Sequence, residues 1–141
     1  MLKGVPKIIP SDLMKILMDM GHGDEIVIAD GNFPAATLAN RIVRCDGHNV
    51  PEILDAVLKF FPLDRYVKFP VALMEIVPGD TVKPTIWGEY ENIIKKHDKE
   101  FTSFEFVERF KFYDRAKEAF AVVATSEAAL YANIILKKGV I

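Results

Sequence analysis

Hydrophobic positions along the chain form short segments whose period switches between helical and extended. Leu13, Ile16, Leu17 and Met20 recur at i, i+3, i+4 and i+7, which predicts an amphipathic helix after Pro10. Ser11 is placed to cap it, Asp12 lies in its first turn and Gly21 supplies its stop. Glu25-Ile26-Val27-Ile28-Ala29 is short, β-branched and apolar on both faces, the pattern of a buried strand. Pro34 to Asn40 predicts a short helix and Arg41 to Cys45 a strand. Pro51 opens a second amphipathic helix whose stripe is Ile53, Leu54, Val57, Leu58 and Phe61. Val71 to Val77 predicts a strand ending at Pro78-Gly79, and about Pro84 to His97 a third helix carrying Trp87, Tyr90 and Ile94 on one side. Phe104 to Phe110 predicts a strand, Tyr113 to Glu118 a short helix, and Ala119 to Thr125 and Asn133 to Lys137 two closing strands. The Ala-rich Ala128–Tyr131 stretch is compatible with a further helical turn. Strands alternating with helices point to a layered α/β domain around a central sheet.

Composition narrows the class. With 141 residues, 50% of them hydrophobic and 27% charged, the chain can form one sizeable core, so a single domain over residues 1–141 is expected. Eighteen Lys and Arg against twenty Asp and Glu leave a formal charge of −2, with no basic block to serve as a nucleic-acid footprint. The longest apolar runs, such as Ala119–Ala124 and Ala128–Ala132, are too short to cross a bilayer. Pro6 and Pro10 stand where a signal peptide would need its apolar region. Cys45 is alone, so no intramolecular disulfide can form, which fits a reducing, cytoplasmic setting.

The densest polar cluster is Gly21-His22-Gly23-Asp24-Glu25, followed by Asp30 at the end of the buried strand. His22 lies between glycines just after a helix, and Asp30 emerges where open α/β sheets commonly bind ligands. So few residues separate the two that both are expected towards one rim. The alternatives are a solvent-exposed turn histidine and an aspartate that caps the helix near Pro34. His22/Asp24, Asp46/His48 and His97/Asp98 form three dispersed pairs without metal-site spacing, so no metal is expected. No Gly-x-Ser-x-Gly elbow or phosphate-binding glycine motif occurs, and Cys45 reads as structural, so no cofactor is expected. The aromatic series Phe104, Phe106, Phe110, Phe112 and Tyr113 lacks a basic field and reads as core or subunit interface. If Tyr131-Ala132-Asn133 is extended, Tyr131 and Asn133 share a face and suit a neutral polyhydroxylated ligand. Arg109 adds a multi-donor group, unless a salt bridge to Glu108 or Glu105 occupies it.

Taken in order, these segments resemble the RbsD/FucU family of sugar mutarotases, and within it the L-fucose branch. The carriers are Met20-Gly21-His22-Gly23-Asp24-Glu25, Asp30 with Phe33-Pro34, and Arg109-Phe110 leading to Phe112-Tyr113. They continue through Arg115-Ala116, Ala119-Phe120-Ala121 and Tyr131-x-Asn133 to Leu136-Lys137-Lys138-Gly139, nearly the whole chain. The resemblance implies a three-layer α/β/α fold with a mixed central sheet and a ring-shaped homo-oligomer, a homodecamer, with sites near subunit contacts. It implies exchange of α and β anomers of a monosaccharide without a cofactor, His22 being the catalytic acid/base, Asp30 its partner or a sugar-hydroxyl acceptor, and Arg109, Tyr131 and Asn133 further sugar contacts. Arginine at position 109 favours the fucose branch over the ribose branch, whose activity is that of a D-ribose pyranase. A non-catalytic sugar-binding or transport-accessory protein would use the same residue types. The family's Tyr-Gly-Asn is Tyr131-Ala132-Asn133 here, which calls into question any contact needing close backbone approach at position 132.

Overall fold

A computed structural model describes residues 1–141. In chain order the elements are α1 (Ser11–Asp19), β1 (Glu25–Ala29), α2 (Ala35–Leu38), β2 (Ile42–Cys45), α3 (Val50–Leu58), β3 (Val71–Met74), α4 (Ile86–His97), β4 (Glu105–Val107), α5 (Arg109–Glu118), β5 (Ala121–Thr125) and β6 (Ile134–Lys137). The six strands form one sheet in the order β2-β5-β1-β6-β3-β4. β1, β2 and β5 are parallel, as are β3 and β4, while β6 runs antiparallel to both β1 and β3. Five strands therefore share one direction and β6 alone is reversed.

Strand alternation divides the core. Ile26, Ile28, Leu73, Val123 and Ile134 pack on one face with Leu13 and Leu17 of α1, the apolar stripe of α3, and Tyr90 and Ile94 of α4. Val27, Ala29, Ala72, Val122 and Ile135 pack on the other with Phe33, Ala35 of α2, and Phe112 and Ala116 of α5. The result is the expected α/β/α three-layer fold with a mixed sheet. No helix is long and apolar enough to cross a membrane.

Several boundaries differ from the sequence expectation for local reasons. Ser11 is the first helical residue rather than the cap: Pro10 occupies the cap with extended backbone, and its carbonyl accepts from Leu13 and Met14 N–H at 3.0 and 3.2 Å. The helix ends at Asp19 because Met20 turns extended and buries its side chain, so Gly21 is not the stop. The predicted strand from Phe104 to Phe110 is cut to three residues, and the following helix starts at Arg109 rather than Tyr113. Glu108 is the cause: its carboxylate accepts from Phe110 and Lys111 N–H at 3.0 and 3.1 Å, capping α5. Ala128–Tyr131 forms no helix. By contrast, the second amphipathic helix has a full capping box, Asn49 and Glu52 each satisfying the other's backbone N–H, with Pro51 in the first turn.

Candidate functional site

Strand direction decides which residues meet. Asp30 follows β1, Met74 ends β3 and Arg109 lies just past β4, all at the carboxyl edge of the sheet. Because β6 is reversed, its lead-in, Tyr131-Ala132-Asn133, arrives at that same edge. These segments enclose a cleft of about 350 Å³, lined by Asp30, Asp80, Arg109, Tyr113, Tyr131 and Asn133 with Phe33, Met74 and Leu130. Its size falls within the ~300–1,000 Å³ range of small-molecule clefts, and its position is the one that open α/β sheets use for ligands. A larger cavity of about 460 Å³ opens between Leu58, Phe61, Tyr66 and Ile141, with Arg65, His97 and Asp98 also in its lining, but it lies away from the carboxyl edge of the sheet and holds none of Asp30, Arg109, Tyr131 and Asn133. The smaller cleft is therefore the better candidate.

The polar groups of the cleft are held in fixed roles. Asp30 N–H donates to Asn133 Oδ1 at 2.8 Å, which fixes the amide and leaves Asn133 Nδ2 as a donor. Asp30 Oδ1 accepts from Asn32 N–H at 3.0 Å, an Asx turn rather than a helix cap, and α2 has no side-chain cap. Burial pushes the Asp30 carboxyl above its ordinary value, with backbone N–H bonds from Asn32, Phe33 and Ala132 opposing it and the charge of Glu127 adding to it. Arg109 makes no salt bridge, since Glu108 caps α5 and Glu105 pairs with Arg115 at 2.6 Å. Its guanidinium instead lies beside Tyr113, with Nε 3.4 Å from the Tyr113 hydroxyl.

Tyr131 is not extended, as its φ of 57° places it in the left-handed region. Tyr131 and Asn133 both line the cleft, though not by strand alternation. Helix α4 holds the unusual backbone: Trp87 Nε1–H donates to the Tyr131 carbonyl at 2.8 Å and the Tyr90 hydroxyl donates to the Ala132 carbonyl at 2.6 Å. Burial pushes the Tyr90 hydroxyl well above its ordinary pKa and keeps it a donor. Ala132 itself is fully buried in the core, so its methyl does not face the cleft. The Tyr131 hydroxyl donates to Asp80 Oδ2 at 2.6 Å and accepts from Val77 N–H at 3.3 Å.

His22 is elsewhere. It precedes β1 while Asp30 follows it, so five extended residues, roughly 17 Å, separate the two, and they do not share a rim. The short sequence gap was misleading because a strand carries its two flanks to opposite edges of a sheet. At its own edge His22 Nε2 lies 3.1 Å from Asp64 Oδ1, and its ring packs 5.5 Å from that of Tyr66. The imidazole side chain is 45% exposed while Asp64 is 4% exposed, the arrangement of an oriented group with its reactive face free. Burial raises the Asp64 carboxyl, but the bond from Tyr66 N–H, then His22 and the charge of Lys137, outweigh it and hold the net value below ordinary. Gly139 packs against this segment so closely that a Cβ there would lie 2.5 Å from the Leu63 carbonyl oxygen.

Asp64, Asp80, Tyr113, Trp87 and Tyr90 were not identified as functional residues from the sequence; only Asp80, directly after the Pro78-Gly79 turn, carried a usable signal, and β3 ends at Met74, short of the Val77 expected before that turn. The other histidines are engaged at the surface, His48 with Glu52 and His97 with Asp55. Cys45 is buried, and burial followed by the charge of Asp46 pushes its thiol up, away from nucleophilic use.

Known proteins are similar across the whole length. The fucose mutarotase of mouse is 50% identical over 144 residues, covering 98% of this chain and 94% of the mouse protein. A crystal structure of the fucose mutarotase from Streptococcus pneumoniae in complex with L-fucose superposes with a TM-score of 0.94 at 52% identity, covering 99% of each chain. The FucU crystal structure from Bifidobacterium longum gives 0.96 at 54% identity, again covering 99% of each. A match to the RbsD / FucU transport protein family spans residues 3–141, and with the shared fold and these identities the chain belongs to that family.

Proposed function

We propose that this protein is an isomerase, an L-fucose mutarotase that interconverts the α and β anomers of the sugar by opening and reclosing its ring. The carrying observation is the cleft at the carboxyl edge, whose Asp30, Arg109, Tyr131 and Asn133 converge in a chain 52% identical to a relative that binds L-fucose. Asn133 Nδ2 and Arg109 supply donors and Asp30 a charged acceptor, a set suited to a neutral ring bearing several hydroxyls.

Ring opening removes the anomeric hydroxyl proton and protonates the ring oxygen as the C1–O bond breaks. Rotation about C1–C2 then presents the other carbonyl face, and closure reverses both transfers. A histidine serves in either role near neutral pH, so His22, oriented by Asp64, is assigned as one proton-transfer group. It cannot reach a sugar in its own chain's cleft and therefore acts in that of a second copy. Exposed apolar side chains flank both edges, Tyr66, Met18 and Ile141 near His22 and Phe110, Leu130 and Val77 near the cleft, which suits a contact between unlike edges of two copies. A ring-shaped homo-oligomer, the homodecamer of the family resemblance, satisfies this requirement, and the unpaired Cys45 suits a cytoplasmic setting.

Saturation transfer between α and β anomeric protons, run on a sugar panel, tests the reading. Fastest exchange with L-fucose is expected. Equal or faster exchange with D-ribose would make the protein a pyranase-type enzyme, and binding without exchange would make it a sugar-binding protein.

A further inference from the structure

Ring opening needs two proton-transfer groups on the sugar at once, and His22 supplies only one. We propose that Tyr131 and Asp80 form the second: Tyr131 touches the anomeric hydroxyl as the catalytic group, and Asp80 acts through it, orienting the phenol and taking up its proton. The proposal rests on the mutarotase reading above and deepens it.

The valence of the Tyr131 hydroxyl carries the argument. Its one proton is donated to Asp80 Oδ2 at 2.6 Å, and one lone pair accepts from Val77 N–H at 3.3 Å. A single lone pair remains on a residue that lines the cleft, so towards a sugar Tyr131 is an acceptor and not a donor. A sugar hydroxyl that donates to it sits at the head of a chain, sugar O–H to Tyr131 to Asp80. Asp80 Oδ1 is tied down by Val82 N–H at 3.0 Å, which holds the carboxylate in place behind the phenol. The hydrogen bond from Tyr131, followed by that from Val82 N–H, keeps the Asp80 carboxyl below its ordinary range, so the proton-accepting form is present at neutral pH.

In the proposed step the anomeric oxygen gives its proton to Tyr131 Oη while the Tyr131 proton passes to Asp80 Oδ2. The C1–O bond of the ring breaks, its electron pair stays on the ring oxygen, and the acid, His22 of a second copy, protonates that oxygen. The pair formerly in the O–H bond becomes the C=O bond of the open aldehyde. Closure on the other face returns the proton from Asp80 through Tyr131 to O1 and the ring-oxygen proton to the histidine, so both units are reset.

The test uses Asp80→Asn, Tyr131→Phe and the double variant, with L-fucose exchange followed by NMR and L-fucose affinity by calorimetry on the same samples. Asparagine cannot take the phenol proton, and its one amide oxygen can accept from Tyr131 O–H or from Val82 N–H but not from both. A merely structural Asp80 would therefore show itself in weakened L-fucose affinity or a lowered melting temperature rather than in a loss confined to kcat. The relay predicts a loss in kcat of about 10²-fold with affinity within about twofold of wild type. Because the two residues act as one unit, the double variant is expected to be no slower than Tyr131→Phe alone. Asp80→Asn exchange within twofold of wild type, or multiplying losses in the double variant, overturns the relay while leaving the mutarotase reading intact. A wild-type protein that exchanges no sugar removes both.

Discussion

Mixing two inactive variants tests whether each working site draws on two copies of the chain. One variant is His22→Gln, which retains the cleft. The other is Asp30→Asn combined with Arg109→Ala, which retains His22 but strips the cleft of its charged acceptor and its exposed guanidinium. The structure sets the expectation through distance: β1 holds His22 and Asp30 roughly 17 Å apart, against a reach of about 3 Å for direct proton transfer. Alone, His22→Gln should lose about 10²–10⁴-fold in exchange, leaving at most about 1% of wild-type activity. In oligomers co-assembled from equal amounts, half of the histidines and half of the clefts are intact. Roughly a quarter of the contacts then pair an intact histidine with an intact cleft, if the interface joins unlike edges of neighbouring copies. The mixture should recover about 25% of wild-type anomeric exchange, some 25-fold over background. Co-expression with two affinity tags, followed by tandem purification and saturation-transfer NMR, reads the number directly. Recovery no greater than the average of the separate variants, in an oligomer shown by light scattering to contain both chains, would refute the shared site.

Asp30→Asn should stabilise the fold at neutral pH while weakening L-fucose binding roughly 10-fold or more, since a hydrogen bond to a charged acceptor is lost. The sign follows from burial, which raises the Asp30 carboxyl: the folded state holds the extra proton between the unfolded value and the raised folded value, wild-type stability falls as pH rises through that window, and the variant's advantage should fade as pH is lowered through it. Thermal melts across that range at fixed protein concentration check this, and an advantage unchanged at low pH would count against it. Gly139→Ala should cost about 1–3 kcal/mol in denaturant melts, because the new Cβ would drive into the Leu63–Asp64 backbone, and it should slow exchange by displacing Asp64 from His22. Wild-type stability for that variant would mean that the segment shifts freely.

Most of the sheet and its helices were legible because burial dictates periodicity: Ile26 to Ala29 read as a strand and Ile53, Leu54, Val57 and Leu58 as a helix stripe, and both are. The boundary between β4 and α5 was not legible, because Glu108, read as a possible partner for Arg109, turns its carboxylate to the backbone and starts a helix there. The side chains of the candidate cleft were legible as residue types, whereas their partners were not. His22 meets Asp64 across 42 positions, Tyr131 meets Asp80 across 51, and Tyr131 and Ala132 are pinned from α4 across 44 and 42. Local spacing carries no information at that range; only the register of the strands brings such groups together.

Ala132 shows how that long-range support changes the meaning of a local departure. A Tyr-Gly-Asn segment suggests that glycine supplies an unusual backbone, so alanine there reads as a defect. In the fold the left-handed residue is Tyr131, one position earlier, and its strain is held by donors from Trp87 and Tyr90 rather than relieved by a glycine. The alanine methyl enters the core beside Ile134 instead of the cleft. The same argument applies to the sheet as a whole. Because β6 alone is reversed, its lead-in joins the carboxyl ends of β1 and β3 at the cleft, while the N-terminal flank of β1 carries His22 to the other edge. A contact that unites these two edges in one direction only is heterologous and closes into a ring or runs on into a filament, whereas a reciprocal contact would be two-fold. On the proposed mechanism, the separation of His22 from the cleft is thus what requires a second copy of the chain at each working site.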